Sequence, residues 1–568
     1  MSVLLLPMMI ALTAGPLQFS GTASVYGEYG WVTGDSLVSP RPELRYTMNP
    51  SLSLWGLPLK LDMLLSTQES NLRQQLDKYR LFLHPSELLS GMANPPSLAL
   101  AIKGVDIGSC NPSWTPYTLS GASLLGGAVE LNPWYVYLAG AAGRSQRAVA
   151  VSETTDGAYS RMLYSGKFGF GKKERTHFYL TALYATDDTN SLRNNMRPYP
   201  NDTVPPIDSF EVVRPKENYV LGTEFNLSLL KGAFSLASEV TGSELTRDKR
   251  LEVEHWKWLP SWVANTFKPR MSSSVDYAFK VKPALSVLGT KLNGRLEYVG
   301  PGYQSLGAPN LRNDNFTLGG DVGRDFFNHS VSLSASYSTQ HDNLLAQAVK
   351  DSLGRVLRVL RFKGTTTWFT SWDANLGLSF PNLPYLQATY SPYTERSDVL
   401  DSLSGVVSTK TTAAKVVSVS AGHSFQTGTL SHSTGVSVSY SDQHGKGDTT
   451  GNYTNWDANL NYSLGFTFPL SLAASCGYTR SVTAGVTAPD ARLYFDVTPS
   501  YTVFKTWRHS LSLGGTFGSS RRLDTRYNSS FPIWKLCDGT VGVSNVIYHG
   551  NDGSYNDFHL TAELSRSW

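Results

Sequence analysis

The sequence predicts an all-β fold: an antiparallel up-and-down transmembrane β-barrel of roughly 24–26 strands, with short periplasmic turns and long extracellular loops. Three observations lead to this prediction. Long strands alternate strictly between apolar and polar residues, long hairpins recur along the whole chain, and the connections alternate between short and long. The number of strands must be even if both chain ends lie at the periplasmic rim.

The alternation is clearest between Trp456 and Phe468. Even-numbered positions in this stretch are apolar or aromatic, and the odd-numbered positions from Asp457 to Thr467 carry polar residues or glycine. A β-strand with this pattern has one apolar and one polar face. At about 3.3 Å per residue, roughly 13 residues tilted by ~45° rise about 30 Å, which matches a hydrocarbon core. A long hairpin in a soluble β-sandwich shows the same pattern, so repetition must decide between the two folds.

Repetition of the hairpin extends over the chain. Residues 372–380 read WDANLGLSF, close to the WDANLNYSL that begins at Trp456, and a turn between Pro381 and Pro384 leads to a return strand. Long hairpins of the same kind are predicted at 119–144, 158–186, 217–243, 271–299, 312–340, 411–440 and 490–519. An array of this kind favours the membrane barrel over the sandwich.

Residues 1–14 are expected to be a cleaved signal peptide, and residues 15–568 a single barrel domain. The apolar run Val3–Ala11 resembles a secretory signal, although no Lys or Arg precedes it. A short buried segment, or a true chain start further upstream, is the alternative interpretation.

The first predicted strand, Phe19–Trp31, closes the barrel against the last strand, and Leu44–Leu54 forms a hairpin with Pro58–Leu65. Residues 66–118 are the least regular part of the chain, and a second ambiguous region is 520–550. In these regions Tyr79–Leu83 and Ser97–Val105 are predicted to be extended, 85–96 to be a short helix or a loop, and Thr540–Tyr548 to be a strand or an extended loop.

Connection lengths alternate along the chain. The short set comprises 131–134, 170–175, 229–232, 424–430 and 468–470, and the long set 187–216, 244–270, 300–311, 341–363, 393–410, 441–452 and 520–530. Short connections belong at the periplasmic rim and long ones at the extracellular rim. Leu344–Leu360 has the spacing of an amphipathic helix, but the turn residues Asp351–Gly354 favour an extended hairpin above the membrane.

The end of the chain carries a further signal of the same fold. In the last strand Leu560, Ala562 and Leu564 alternate with polar residues, and the sequence ends at Trp568. A final amphipathic strand with a terminal aromatic residue resembles the signal by which bacterial outer-membrane barrels are recognised for insertion, although Arg566 departs from it. The barrel-insertion machinery is therefore an expected partner, acting through the C-terminal strand.

Three short segments, Phe19–Gly21, Tyr117–Gly121 and Gly127–Pro133, resemble uncharacterised Bacteroidota-type outer-membrane barrels. The resemblance implies a place in the Gram-negative cell envelope, in contact with outer-membrane lipid. It implies no particular activity.

Most ionisable residues within the predicted strands share the parity of the polar residues. An Arg or Lys on the lipid face costs about 2–4 kcal/mol at the bilayer midplane, so we assign these residues to the lumen. They are Lys60, Asp62, Lys103, Glu130, Arg161, Lys167, Glu224, Glu239, Asp276, Lys280, Arg295, Glu297, Asp373, Asp457, Arg492, Asp496 and Glu563. The lining either discriminates solutes by charge or consists of solvated and mutually paired charges.

Aromatic residues near the ends of predicted strands are expected to form girdles at the two membrane boundaries. The assigned girdle residues are Trp372, Phe380, Trp456, Phe466, Phe468 and Trp568.

Composition and motifs argue against several function classes. The net charge of +4 is too small to indicate a nucleic-acid partner. The three cysteines lack metal-ligand spacing and are odd in number, and no catalytic, cofactor or metal motif is present. His341–Asp342 and Asp442–His444 lie at predicted strand-to-loop junctions, where some barrel enzymes have their sites. Adjacent polar loop residues are common, so we expect no enzyme activity.

Two functions fit the predicted barrel. One is a porin-like channel or transport protein for an unknown solute; the other is a scaffold or receptor barrel of a secretion or uptake assembly, plugged by loops or a partner. A barrel of roughly 24–26 strands would leak if its lumen were unblocked, since 16–18 strands already leave an aqueous channel. Loops such as 187–216 or 244–270, the latter carrying Trp256, Trp258 and Trp262, are therefore predicted to fold inward unless another protein fills the pore.

Overall fold

The computed structural model describes residues 18–34, 42–54, 57–67, 78–85, 100–151, 156–173, 175–192, 213–254, 256, 261–344, 347–350, 356–360, 365–400, 407–446, 451–486, 488–533, 537–550 and 553–568. The expected signal peptide at 1–14, and nearly all of the predicted helix or loop at 85–96, lie outside these residues.

The described residues form 28 β-strands, of which 26 belong to one antiparallel sheet. The strands are β1 Gln18–Gly34, β2 Glu43–Leu54, β3 Leu57–Ser66, β4 Lys78–Leu83, β5 Ile102–Cys110, β6 Leu124–Leu131, β7 Val136–Gln146, β8 Arg161–Gly171, β9 His177–Asp187, β10 Glu217–Leu229, β11 Phe234–Thr246, β12 Ser273–Val287, β13 Thr290–Val299, β14 Asn315–Phe326, β15 Val331–Asp342, β16 Gln347–Lys350, β17 Val356–Leu360, β18 Thr365–Leu378, β19 Tyr385–Leu400, β20 Val407–Thr427, β21 Leu430–Lys446, β22 Tyr453–Gly465, β23 Leu470–Thr483, β24 Asp490–Val503, β25 Trp507–Phe517, β26 Arg521–Ile533, β27 Cys537–Gly550 and β28 Gly553–Ser567. A 3-10 turn at Leu230–Gly232 and a short helix, α1 (Ser261–Phe267), lie between strands.

The sheet closes on itself through β1 and β28. Their antiparallel register runs from Thr22 opposite Ser567 to Gly34 opposite Tyr555, and β1 also pairs with β2. Closure leaves no edge strand with unpaired backbone groups, as a barrel in a membrane requires. The predicted fold class is therefore confirmed, and the 26 barrel strands agree with the predicted even number.

Several predicted connections are wrong because strands continue through them. Residues 521–530 of the predicted loop 520–530 belong to β26, whereas Thr540–Tyr548, for which the sequence allows a strand or an extended loop, is part of strand β27. The predicted loops 393–410 and 441–452 are largely occupied by the ends of β19, β20 and β21. Beyond the bilayer both faces of a strand meet water, so the alternating pattern fades although backbone pairing continues.

The segment 341–363 contains the extended hairpin that the sequence favours, since β16 pairs with β17. The predicted extended segment Ser97–Val105 is a strand only from Ile102, because Leu100 and Ala101 are helical.

The two faces of the sheet differ chemically. On β10, Val220 is completely buried on the inner face, whereas the next residue, Leu221, is 56% exposed on the outer face. Phe178, Leu180 and Val240 are likewise large apolar side chains exposed on the outer face. A closed sheet with an apolar outside and a polar inside is the construction of an outer-membrane barrel.

Within the described part of the chain, no helix combines the length and the apolar character needed to cross a bilayer.

Candidate functional site: the barrel lumen

The strand registers place the predicted lumen residues on the inner face. Residues opposite each other on neighbouring strands share a face; Asp62 stands opposite Arg80, for example, and Asp373 opposite Ser336. Lys103 lies at a β-bulge of β5 and lines one pocket with Asp106 and Glu130. Whether these side chains contact a passing solute stays a prediction.

Ionised groups on the inner face of β6–β13, which we call the paired wall, bind one another. Lys167 Nζ lies 2.5 Å from Glu224 Oε2, and His177 Nε2 lies 3.1 Å from the other oxygen of Glu224. The remaining pairs are Arg161 with Asp187 at 2.7 Å, Lys280 with Glu239 at 3.2 Å, Lys173 with Glu130 at 2.8 Å, and Arg295 with Glu297. On this wall the geometry fits the mutually paired interpretation of the charged lining.

Residues 111–123, which connect β5 to β6, pack against the paired wall, and we call them inner segment 1. Tyr117 and Leu119 are completely buried there. Tyr117 donates its hydroxyl to Glu297 at 2.6 Å, and Lys280 Nζ lies 5.3 Å from its ring centroid. Burial, together with the hydrogen bond to Glu297, raises the pKa of the Tyr117 phenol far above its ordinary value. The phenol therefore remains a donor.

Residues 300–314, which connect β13 to β14, form inner segment 2 and lie against inner segment 1. The Ser305 hydroxyl donates to the Thr118 carbonyl at 2.6 Å, and the Ser120 amide donates to the Gly307 carbonyl at 2.9 Å. A Cβ at Gly307 would lie 2.7 Å from the backbone carbonyl oxygen of Thr118, so this close approach of the two segments requires glycine. The two segments therefore form one packed unit inside the barrel.

Asn218 on β10 anchors inner segment 2 to the wall. Its side-chain amide donates to the Gln304 carbonyl at 3.1 Å and accepts from the Leu306 amide at 2.9 Å. Tyr303, also completely buried, donates to the Tyr117 carbonyl at 3.0 Å. Each large apolar or aromatic side chain buried in this way contributes about 1.5–3 kcal/mol.

Sequence reasoning did not identify inner segment 1 as a lumen element. Its only local signal was apolar content, since Trp114, Tyr117 and Leu119 fall within 13 residues of a connection between strands. The tryptophans of 244–270 instead predicted that this segment lies inside the lumen, which is the wrong side of the barrel wall.

The described part of 244–270 packs outside the barrel. Phe267 of α1 lies 4.8 Å from Tyr219, whose own ring faces outward beside Tyr184. Lys249 reaches Thr186 on the same outer rim at 2.5 Å. The prediction that this loop fills the lumen is therefore wrong for these residues. Trp258 and nearly all of the middle of 187–216 lie outside the described residues.

The predicted girdle residues lie at strand ends or turns, except Trp372, which lies within β18 on its outer face. Trp372 contacts Tyr337 at 4.4 Å and Trp456 contacts Tyr440 at 4.5 Å between ring centroids. At the opposite rim Phe466 pairs with Phe468 at 5.0 Å, and Trp568 stacks on Phe19 at 5.7 Å. Phe380 is 41% exposed at the same rim.

The inner face of β14, β15 and β18–β25, which we call the open wall, differs from the paired wall. Serine, threonine, asparagine and glycine dominate its inner positions, and the buried cluster of inner segments 1 and 2 does not extend onto it. Inner segment 2 reaches it at the extracellular end of β15, where Arg312 pairs with Asp342 at 3.3 Å. A groove of about 710 Å³ on this wall is lined by Tyr385, Ser424, Ser433, Asn461 and Asp496 among others. Such a surface can hydrate and hydrogen-bond polar solutes.

Two groups of adjacent residues have side chains that could take part in catalysis. In one group the side chains point to opposite faces of the sheet, and in the other the carboxylate is already ion-paired. His341 stacks on Trp368 at 4.0 Å on the outer face, whereas Asp342 points inward. Asp442 pairs with Lys415 at 3.2 Å and with His444 at 2.7 Å. Within the described ranges, no group of three or more His, Cys, Asp or Glu side chains could hold a metal ion.

No protein-family model and no curated protein sequence matches this chain. Among solved structures it is similar to the P pilus usher (PapC) translocation pore, with 12% identity and a TM-score of 0.26 over 97% of this chain and 99% of that chain. It is also similar to OccAB2 of Acinetobacter baumannii, with 12% identity and a TM-score of 0.28 over 62% and 92% of the two chains. A third is OccK8 (OprE) of Pseudomonas aeruginosa, with 10% identity and a TM-score of 0.29 over 62% and 93%. Likenesses this remote identify no function for the chain.

Proposed function

We propose that this chain is an outer-membrane channel through which hydrophilic solutes pass along a polar lumen. The observation that carries the proposal is the closed sheet of 26 strands whose open wall is polar and lies outside the buried cluster of inner segments 1 and 2. With strands about 4.8 Å apart and tilted by ~40°, a sheet of this size has a circumference of about 160 Å. Inner segments 1 and 2 cover mainly the paired wall, so a wide aqueous passage beside them is expected.

Single-channel recording in planar bilayers tests the proposal. The purified intact protein is expected to give large, stable openings in potassium chloride, because the open wall supplies a continuous hydrated surface from rim to rim. A preparation heated until the barrel unfolds serves as the control. Absence of any conductance from correctly folded protein would contradict the proposal.

The second candidate is a scaffold or receptor barrel whose lumen is closed by its own loops or by a partner protein. The anchoring of inner segments 1 and 2 to the paired wall favours it, since these segments already occupy lumen space. This second function would be favoured if the intact protein shows no conductance and a variant in which a flexible linker replaces residues 302–312 does.

The proposal includes the partners expected from the sequence. Outer-membrane lipid surrounds the apolar outer face, the barrel-insertion machinery acts on β28, and no nucleic acid and no catalytic reaction are involved. We also group the chain with Bacteroidota-type barrels, on the short segments Phe19–Gly21, Tyr117–Gly121 and Gly127–Pro133.

Replacement of Trp568 by alanine is expected to lower the amount of folded barrel in the outer membrane several-fold. Trp568 closes the sheet, because its amide and carbonyl both bond to Gly21, at 3.1 and 3.0 Å, and its ring stacks on Phe19. Heat-modifiable mobility on denaturing gels measures the folded fraction. Phe380→Ala, which removes an aromatic side chain at the same rim but outside the terminal strand, is the matched control. Equal yields of the two variants would contradict a role for the terminal residue.

A further inference from the structure

We propose that the channel is selective for cations and that carboxylates of the open wall determine this selectivity. The inference rests on the proposed channel function and deepens it, because it names the class of solute. Its basis is an uneven distribution of charge around the inner face.

Four aspartates stand within the open wall, well away from its rims. Asp321, Asp373, Asp457 and Asp496 occupy inner positions of β14, β18, β22 and β24, each at least four residues from either end of its strand. Asp321 and Asp373 both lie opposite Ser336, so two carboxylates face the lumen within three neighbouring strands.

The hydrogen-bond partners of these carboxylates are neutral. Asp321 accepts from Asn293 at 2.7 Å, and Asp373 accepts from Ser336 at 3.1 Å. Asp496 accepts from Ser512 at 2.7 Å and from Thr498 at 2.9 Å. A hydrogen bond from a neutral donor does not cancel the charge of a carboxylate. The negative charge therefore remains available to the lumen.

Basic side chains are scarce on the same surface. Among the described inner positions of β14, β15 and β18–β25, they are Lys410, near the extracellular end of β20, Arg492, and Arg508 at the periplasmic end of β25. Arg492 lies 2.7 Å from Asp490, which like Glu395 is a further carboxylate of this wall, and so compensates the charge of Asp490 first. The four aspartates keep a net negative charge among them.

Elsewhere around the barrel many of the charged groups are paired with a neighbour of opposite charge. The paired wall holds its ammonium and guanidinium groups against its own carboxylates, as described above. On the strands that close the barrel, inner pairs include Arg522 with Asp524 at 2.9 Å, Arg45 with Glu43 at 2.7 Å and Arg80 with Asp106 at 2.8 Å. The open wall is therefore the part of the described lining in which carboxylates most clearly outnumber basic side chains.

Such a wall attracts cations and repels anions over a distance that the salt concentration sets. Screening lengths are about 10 Å at 0.1 M and about 3 Å at 1 M ionic strength. Cations near the wall are thus enriched at low salt, and the enrichment weakens at high salt because the rest of a wide lumen lies beyond the reach of the wall.

Reversal potentials of the intact protein in a potassium chloride gradient test the inference. We expect a K⁺ to Cl⁻ permeability ratio above about three near 0.1 M salt, falling toward one near 1 M. The quadruple variant Asp321→Asn, Asp373→Asn, Asp457→Asn, Asp496→Asn is expected to reduce the low-salt ratio at least about twofold. The control variant Asp398→Asn with Asp442→Asn removes two carboxylates from the outer face, and its ratio is expected to match that of the intact protein.

The possible failures are distinguishable. An open channel with a ratio near one, or with a preference for chloride, overturns the cation inference and leaves the channel function standing. A cation-selective channel whose ratio is unchanged in the quadruple variant overturns the assignment to these aspartates. Folded protein without conductance overturns the proposed function and the inference together.

Discussion

Replacing Glu224 with glutamine is expected to destabilise the barrel by about 3–5 kcal/mol, because the substitution leaves a buried lysine without its counter-charge. The Lys167 side chain is only 2% exposed, and its Nζ lies 2.5 Å from the Glu224 carboxylate. Its other contacts are the Trp114 carbonyl at 3.3 Å and the ring of Tyr179, whose centroid is 4.9 Å away. Neither carries a full negative charge.

Denaturant unfolding in lipid vesicles, followed by tryptophan fluorescence, measures the loss. Lys167→Met is expected to be less damaging than Glu224→Gln, because it removes the buried cation and keeps an unbranched side chain beside Tyr137 and Tyr179. Combining both substitutions should therefore recover part of the stability lost in Glu224→Gln alone. Asp457→Asn on the open wall is the control and should change stability by less than about 0.5 kcal/mol. Equal losses in Glu224→Gln and Asp457→Asn would show that the pair is not the buried contact described above.

Replacing Asn218 with alanine is expected to release inner segment 2 from the paired wall. Asn218 is completely buried and makes four hydrogen bonds through its side chain, to Ser243, the Glu244 carbonyl, the Gln304 carbonyl and the Leu306 amide. Loss of this amide leaves buried backbone groups without partners, at a cost of about 1–3 kcal/mol for each group. Tyr303 and Ser305 still tie the segment to inner segment 1, so the expected result is a local opening around Gln304 and Leu306.

Limited proteolysis measures the release of the segment. In vesicles or intact cells, trypsin added from outside is expected to cleave Asn218→Ala after Arg312, an exposed residue of inner segment 2, several-fold faster than it cleaves the unaltered chain. Asn461→Ala removes the same chemical group from the open wall and should leave cleavage unchanged. Identical cleavage rates in all three proteins would contradict the anchoring role of Asn218.

These two predictions address one feature of the molecule, its division into two unlike inner surfaces. The paired wall combines buried ion pairs with inner segments 1 and 2 and behaves as a protein core. The open wall combines hydroxyl and amide side chains with aspartates and meets the lumen. This division leaves a path for solutes beside the filled half of the barrel. Both the proposed conductance and its preference for cations depend on the open half.

The sequence by itself determined the barrel and the face of each strand. Alternation between Trp456 and Phe468, and its repetition in the other hairpins, is a local property: each strand contacts lipid on one side and water on the other. The same alternation assigned Asp373, Asp457 and Asp496 to the inner face before any three-dimensional information was available. The strand ends were less predictable, as the long strands β20 and β21 show, because above the bilayer both faces are wet.

Only the tertiary structure decided what occupies the lumen. Tyr117 and Tyr303 are separated by 186 residues, and their contact exists because the closed sheet brings β5 and β13 to opposite sides of one filled region. Local sequence cannot distinguish an apolar connection that turns inward, such as inner segment 1, from one that packs outside, such as α1. Burying aromatic surface is favourable for inner segment 1 and for α1 alike. The surface that each can reach depends on strand order and curvature, which are properties of the closed barrel as a whole.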